Sequence, residues 1–247
     1  MTILEFELDG RRYRADTAAA RSLAIRLEFG GPQPGFFGAP PALAEVFSTG
    51  GFVGDTRAGG SCNVGVYRLN PHCNGTHTEC AGHIADDTIT LADLSLPALM
   101  PATLVSIHSD ANAITREDLE EALRQWTAPH FHQALIIRTL PNAADKQSKR
   151  YDPQTPPLFL NASTMHLVRE MGVEHLLVDL PSLDAMDDDK LTAHRIFWAD
   201  HHQATVTEMI YAPDEIADGY YVLNLQLPAF ATDAAPSRPL IFPIEPE

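Results

Sequence analysis

The stretch Pro71 to Ile84, PHCNGTHTECAGHI, decides how this chain is read. It places Cys73, His77, Glu79 and His83 within eleven residues, around Gly75 and Thr76. Val64 to Leu69 alternates as a strand that delivers the chain into it. In a turn followed by a strand, residues 77 and 79 point to one face. Gly75 lets the backbone fold back so that residue 73 reaches that face. A thiolate, an imidazole and a carboxylate converging in this way suit a borderline divalent ion, Zn²⁺ first and Mn²⁺ second. His83 sits at the edge of such a site, where an imidazole moves protons without being a ligand. His72 competes with Cys73 as a ligand, but it is one residue out of phase with that face. The same residues also have structural readings: a buried free thiol for Cys73 and a packed or surface imidazole for His77.

If the motif is half of a metal site, the second half lies elsewhere in the chain, and two residues offer themselves. On ATVTEMI, period two puts Ala204, Val206, Glu208 and Ile210 on one side. A carboxylate among apolar neighbours is costly to bury unless it is paired or metal-bound. A strand end facing solvent is the other reading of Glu208. His194 falls on an expected helix within Asp187–Asp200, near Leu191 and Trp198, where a packed imidazole bonded to backbone is the alternative.

Outward from these segments, helices and strands mix along the whole length. Leu4, Phe6 and Leu8 alternate toward Asp9-Gly10, which reads as the turn of a hairpin over residues 3–14. Ser22–Leu27 and Leu96–His108 read as strands. GGPQPGFFGAPP at Gly30–Pro41 is a loop with an apolar Phe36-Phe37 tip, and Phe52–Cys62 is a second Gly-rich loop. Thr115 caps a helix over Ile114–Trp126, with Asp118 completing a capping box. ALIIRTL at Ala134–Leu140 and His175–Leu180 read as buried strands. Asn161 opens a helix that Gly172 ends. Tyr220–Leu227 is a further strand, and the Pro-rich tail from Pro236 an extended arm. No repeat or composition break divides the 247 residues, so one α/β domain over 1–247 is expected.

Composition narrows the function. The net charge of -16, from 33 acidic and 17 basic residues, argues against nucleic-acid or anionic-membrane partners. No run of about 18 apolar residues predicts a membrane span. The acidic, strand-like start MTILEFELDG does not read as a signal peptide, which makes the cytoplasm the expected location. Three cysteines, Cys62, Cys73 and Cys80, do not form a disulfide framework.

The segment CNGTHTECAGH resembles the HxGTHxDxxxH signature of the cyclase family of metal-dependent hydrolases, which includes bacterial kynurenine formamidase and isatin hydrolase. VDLPSLD at Val178–Asp184, AHR at Ala193–Arg195 and TEMI around Glu208 follow in the family's order. The loops GGPQPGFFG and GFVGDTRAGGSCN resemble one branch of it. Matched by position, the resemblance implies Cys73, His77, Glu79, His194 and Glu208 as metal ligands and His83 as the catalytic histidine. It implies the family's swivelling β/β/α (α/β/α) domain, a homodimer or homotetramer, and a small-molecule substrate such as formylkynurenine in tryptophan catabolism. This chain departs from the pattern twice, with Cys73 in place of His and Glu79 in place of Asp. The expected activity is hydrolysis of an amide or cyclic amide or ester bond, with the Phe36-Phe37 loop and Arg57 shaping an aromatic or carboxylate-binding pocket. A metal- or ligand-binding protein without catalysis, or a redox thiol at Cys73, are the readings from other classes.

Overall fold

Ala134–Leu140 has apolar residues on both faces, so it is stable only in the middle of a covered sheet. The computed structural model, which describes residues 2–85, 89–109 and 111–246, puts it there. The sheet is mixed and has eleven strands among the described residues. In chain order they are Ile3–Leu8 (β1), Arg11–Asp16 (β2), Arg21–Ser22 (β3), His77–Cys80 (β4), Met100–His108 (β5), Ala134–Leu140 (β6), His175–Val178 (β7), Thr205–Glu208 (β8), Gly219–Asn224 (β9), Ala234–Pro236 (β10) and Leu240–Pro246 (β11). Their spatial order is β1-β2-β11-β9-β5-β6-β7-β8-β4-β10, with β3 also on β11. The centre, β5 to β8, is parallel, and both flanks are antiparallel.

Period two along the central strands divides the core. Val105, Ile107, Leu135, Ile137, Leu176 and Val178 face the helices Arg116–Leu123 (α1), Ala162–Glu170 (α2) and Thr192–Trp198 (α3). Leu104, Ile136 and Leu177 face the other way, against Leu23, Ile210, Ala212 and Ile216 from connecting segments. Each fully buried Leu or Ile contributes about 1.5–3 kcal/mol of burial free energy. The capping box at α1 is present: Asp118 N donates to Thr115 Oγ1, and Thr115 N donates to Asp118 Oδ2. Asn161 caps α2 through Thr164 N, and Gly172 follows it in the left-handed region at φ 75°.

Several expected elements differ. The strand expected over 22–27 is only Arg21–Ser22 plus one bridge from Ala24 to Ile210, because Pro- and Gly-rich chain follows. The helix around His194 is trimmed to Thr192–Trp198. The tail is not a peripheral arm: β11 lies inside the sheet between β2 and β9. Gly65–Arg68 is a strand, but it pairs with Leu43–Val46 in a separate two-stranded arm. That arm leaves Val46, Val66 and Tyr67 open to solvent. Among the described residues, no helix is long and apolar enough to cross a membrane.

Candidate metal centre

The motif enters the sheet as β4, between β8 and β10. Gly75 is at φ 134°, a conformation that a side chain would strain, and it turns the chain into the strand. Thr76 then clamps the entry: its hydroxyl accepts from Ile25 N and donates to Met209 O. Antiparallel pairing sets His77 directly opposite Glu208. His77 and Glu79, two apart, share one face.

His77 is fully buried. Its Nδ1 bonds to Gly75 O at 2.9 Å, which leaves Nε2 as the acceptor nitrogen. That Nε2 has no hydrogen-bond partner and stands 3.5 Å from Glu208 Oε2. His194, on α3, is arranged in the same way. Asp184 accepts from the backbone N–H groups of Ala193 and His194, capping a helix whose N-cap residue, Leu191, has no capping side chain. The same carboxylate holds His194 Nδ1 at 2.5 Å. His194 Nε2 is thereby turned inward, 2.9 Å from Glu79 Oε1 and 3.5 Å from Glu208 Oε1. Leu183 N steadies Glu208 Oε1 at 2.9 Å. Ala204 and Val206 share the helical side of β8 as the alternation requires, but Met209 adopts φ 51° and sends Ile210 to the opposite face.

A second, more open group adjoins this one. His72 Nδ1 lies 3.0 Å from Glu79 Oε2, and His72 Nε2 lies 2.9 Å from Asp233 Oδ2. His83 Nδ1 contacts the same Asp233 oxygen at 3.3 Å, while its Nε2 points to Glu79 Oε2 at 3.8 Å. The two imidazoles stack with centroids 4.3 Å apart. Among the described residues, donor atoms close enough to share an ion occur in three combinations: His72, His77 and Glu79; Glu79, His83 and His194; and His72, His83 and Asp233.

Of the residues expected from sequence, His77, Glu79, His194 and Glu208 come together and His83 reaches their edge. Neither Cys73 nor Glu208 is in those combinations, but Glu208 stands 3.5 Å from both His77 Nε2 and His194 Nε2. Residues 71–73 form a turn, so strand phase does not extend back to them. Cys73 instead packs with Ile25, Phe36, Tyr151 and Met209, and it is His72 that faces Glu79. Burial, and then the charge of Glu208, push the Cys73 thiol up, so it stays protonated. Arg57 lies on an exposed turn and pairs with Asp55. Asp184 and Asp233 carry no role in the sequence reading. Asp184 sits within VDLPSLD and was legible as a neighbour of the motif, whereas nothing local distinguishes Asp233.

Electrostatics fit a cation. Burial raises the Glu79 carboxyl, but His194 and His72 outweigh it and hold the group well below the usual carboxylate range. Burial opposes protonation of His194, yet Glu79, Asp184 and Glu208 drive it well above the ordinary imidazole value. Buried carboxylates thus demand positive charge here. A divalent ion meets that demand by replacing protons; the unpartnered Nε2 of His77 and Oε2 of Glu79, which His72 Nδ1 faces at 3.0 Å, are the atoms that would take it.

A family model described as putative cyclase matches residues 23–185. The chain belongs to the cyclase family. Its relatives include the kynurenine formamidase of Bacillus cereus, 30% identical over 188 residues, covering 75% of this chain and 82% of that protein. The kynurenine formamidase of Bacillus anthracis is 28% identical over 186 residues, covering 75% and 82%. Among solved cyclase-like folds, isatin hydrolase A of Labrenzia aggregata superposes with a TM-score of 0.65 at 15% identity, over 92% of this chain and 94% of that one. A structure described as a novel cyclase gives 0.67 at 16% identity, over 90% and 86%. The mixed central sheet is therefore a cyclase fold. His194 and Glu208 lie beyond the matched segment, so this cyclase chain completes its buried cluster with residues outside it.

Proposed function

We propose that this chain is a metal-dependent hydrolase that opens a carbon–nitrogen amide bond in an N-formyl amine or a cyclic amide. Its family and its kynurenine formamidase relatives support amide hydrolysis. One observation carries the metal. Two buried imidazoles, His77 and His194, have Nδ1 held by an oxygen and Nε2 turned toward buried carboxylates, His77 toward Glu208 and His194 toward both Glu79 and Glu208. Ligating histidines are oriented in this way by their outer hydrogen bonds.

His77, His194, Glu79 and Glu208 would hold the ion. When bound, a divalent ion, Zn²⁺ by its preference for imidazole and carboxylate or alternatively Mn²⁺, supplies Lewis acidity toward water and the amide carbonyl. Asp184 fixes the His194 tautomer and ring angle. His83 Nε2 accepts a proton from the attacking water and returns it to the leaving nitrogen as the C–N bond breaks. Asp233 holds His83 Nδ1 and so keeps Nε2 facing the cluster.

The test combines elemental analysis of protein purified without chelators with turnover of formanilide and cyclic imides. Bound metal with turnover, and His83→Ala retaining metal while losing roughly 10²–10⁴ in kcat, is the expected result. Metal without turnover on any of these amides identifies a binding protein instead. A folded protein that takes up no metal after supplementation sinks the reading.

A further inference from the structure

Asp179 and Lys146 form a buried ion pair outside the cluster. Asp179 directly follows β7, and its side chain is 0% exposed. Lys146 lies on the helical turn Ala144–Gln147 after β6, and its side chain is 13% exposed. Three donors converge on one oxygen: Lys146 Nζ at 2.7 Å, Thr139 N at 2.9 Å and Thr139 Oγ1 at 3.2 Å all reach Asp179 Oδ2. The same ammonium donates to Thr139 O at 2.7 Å and to Thr139 Oγ1 at 2.8 Å. The other oxygen of Asp179, Oδ1, is buried without a partner among the described residues. Burial pushes the Asp179 carboxyl up, against the pull of Lys146.

Stability does not account for this arrangement. Desolvating two charges offsets their attraction, and a well-packed apolar pair usually serves the fold as well. A buried oxygen left unpaired adds a further cost. What the pair supplies is direction, because it joins the last turn of β6, the segment after it and the exit of β7 at one atom.

That exit leads to the cluster. Residues 179–184 are buried throughout, yet none lies in a helix or strand. Irregular buried backbone keeps its course only through specific bonds. The segment ends in the two groups that aim the cluster: Leu183 N on Glu208 Oε1, and Asp184 on His194 Nδ1. Leu180 O accepts from Met209 N, and Leu183 O from Leu160 N. Pro181, with its fixed φ, stiffens the path between them. The clamp on Asp179 ties the start of the segment to β6. It stands at the carboxyl ends of two parallel strands, where open α/β sheets carry their sites. A metal site works only while its ligands are held to within about 0.5 Å, so a shift at residue 179 matters at residues 183 and 184.

We propose that Asp179, clamped by Lys146 and Thr139, is a positioning residue for the metal ligands, acting through Leu183 on Glu208 and through Asp184 on His194. The proposal rests on the hydrolase reading for the ligands, but its geometry is tested without metal. In metal-free protein the Nδ1–H of His194, held by Asp184, gives a far-downfield proton NMR resonance, identified by its absence in His194→Gln. Asp179→Ala cuts the clamp and moves that resonance upfield or broadens it away. The double variant Asp179→Asn/Lys146→Met keeps an oxygen for Thr139 N without a buried charge, and restores it. Leu119→Ala, a core variant on α1 outside the clamp and the segment, supplies a comparable loss of stability and leaves the resonance in place. In the same series, competition with a chelator shows Zn²⁺ bound about tenfold or more weakly by Asp179→Ala and as in the wild type by Leu119→Ala. An unmoved resonance in Asp179→Ala, or an equal change in Leu119→Ala, overturns the proposal. Should Asp179→Ala fail to fold, Thr139→Val takes a single hydroxyl from the clamp and carries the test, and a wild-type resonance in it overturns the proposal in the same way. Metal content and formanilide turnover of the wild type judge the hydrolase reading independently.

Discussion

The cluster has two halves of nearly the same chemistry and opposite surroundings. The inner half, His77, His194, Glu79 and Glu208, has side chains at most 5% exposed. The outer half, His72, His83 and Asp233, is 25%, 26% and 41% exposed. Glu79 joins them, with Oε1 on His194 and Oε2 facing His72 and His83. Burial decides what each half can do. Inside, charges cannot fall back on water, so losing one partner leaves the others uncompensated. Outside, water substitutes for a lost partner and protons exchange freely. On the proposed reading, the inner half holds an ion and the outer half handles protons beside it.

Breaking the inner half should give the largest effect. His77→Ala removes the nitrogen that faces Glu208 and leaves two buried carboxylates with one imidazole. Metal content should fall to near zero by elemental analysis and turnover to background, a loss beyond the about ten- to hundredfold cost of removing an outer-sphere partner. Wild-type metal content in this variant would show that the ion, if any, sits elsewhere.

How much of this contrast was legible beforehand follows from periodicity. Strand period two gave His77 and Glu79 a common face, and the costly burial of Glu208 pointed inward, so most of the inner half could be read. The phase failed at residues where the chain is not a strand. His72 and Cys73 lie in a turn before Gly75, where alternation has no meaning, and they point to different environments. Asp233 reaches the site only because β10 pairs with β4, Ala234 opposite Glu79, a contact separated by more than 150 residues that no local pattern encodes. The same limit explains β11: a Pro-rich tail resembles an irregular arm unless its partners β2 and β9 are known. By contrast, α1 and α2 were readable because their capping signals are local.

A smaller loss should come from the residue that aims the inner half without facing the ion. Asp184→Asn keeps one oxygen, which can still accept from Ala193 N and so preserve that cap on α3. The charge on His194 Nδ1 is lost, and with it the bias that keeps Nε2 free. Metal affinity, measured by competition with a chelator, should weaken about 10–100-fold with the fold intact. Affinity equal to the wild type would reduce Asp184 to a helix cap.

The smallest effect is the one that separates His72 from Cys73. Cys73→Ala takes a protonated thiol from an apolar cluster and should cost about 1 kcal/mol of stability, with metal affinity essentially unchanged. His72→Gln should act on the outer half alone, and its signature is a pH dependence. Burial opposes protonation of His72, but Glu79 and Asp233 on either side raise it to about 9. A group raised above its unfolded value of roughly 6.5 stabilises the fold fully below that pH. The stabilisation is then lost as pH rises through about 9. Metal-free wild type should therefore lose thermal stability across that window, and His72→Gln should flatten the slope. Metal competes with the same proton, so loading the site should remove the slope as well. If Cys73→Ala instead abolishes metal binding while His72→Gln leaves it untouched, the thiolate is the ligand and the turn before Gly75 must rearrange to present it.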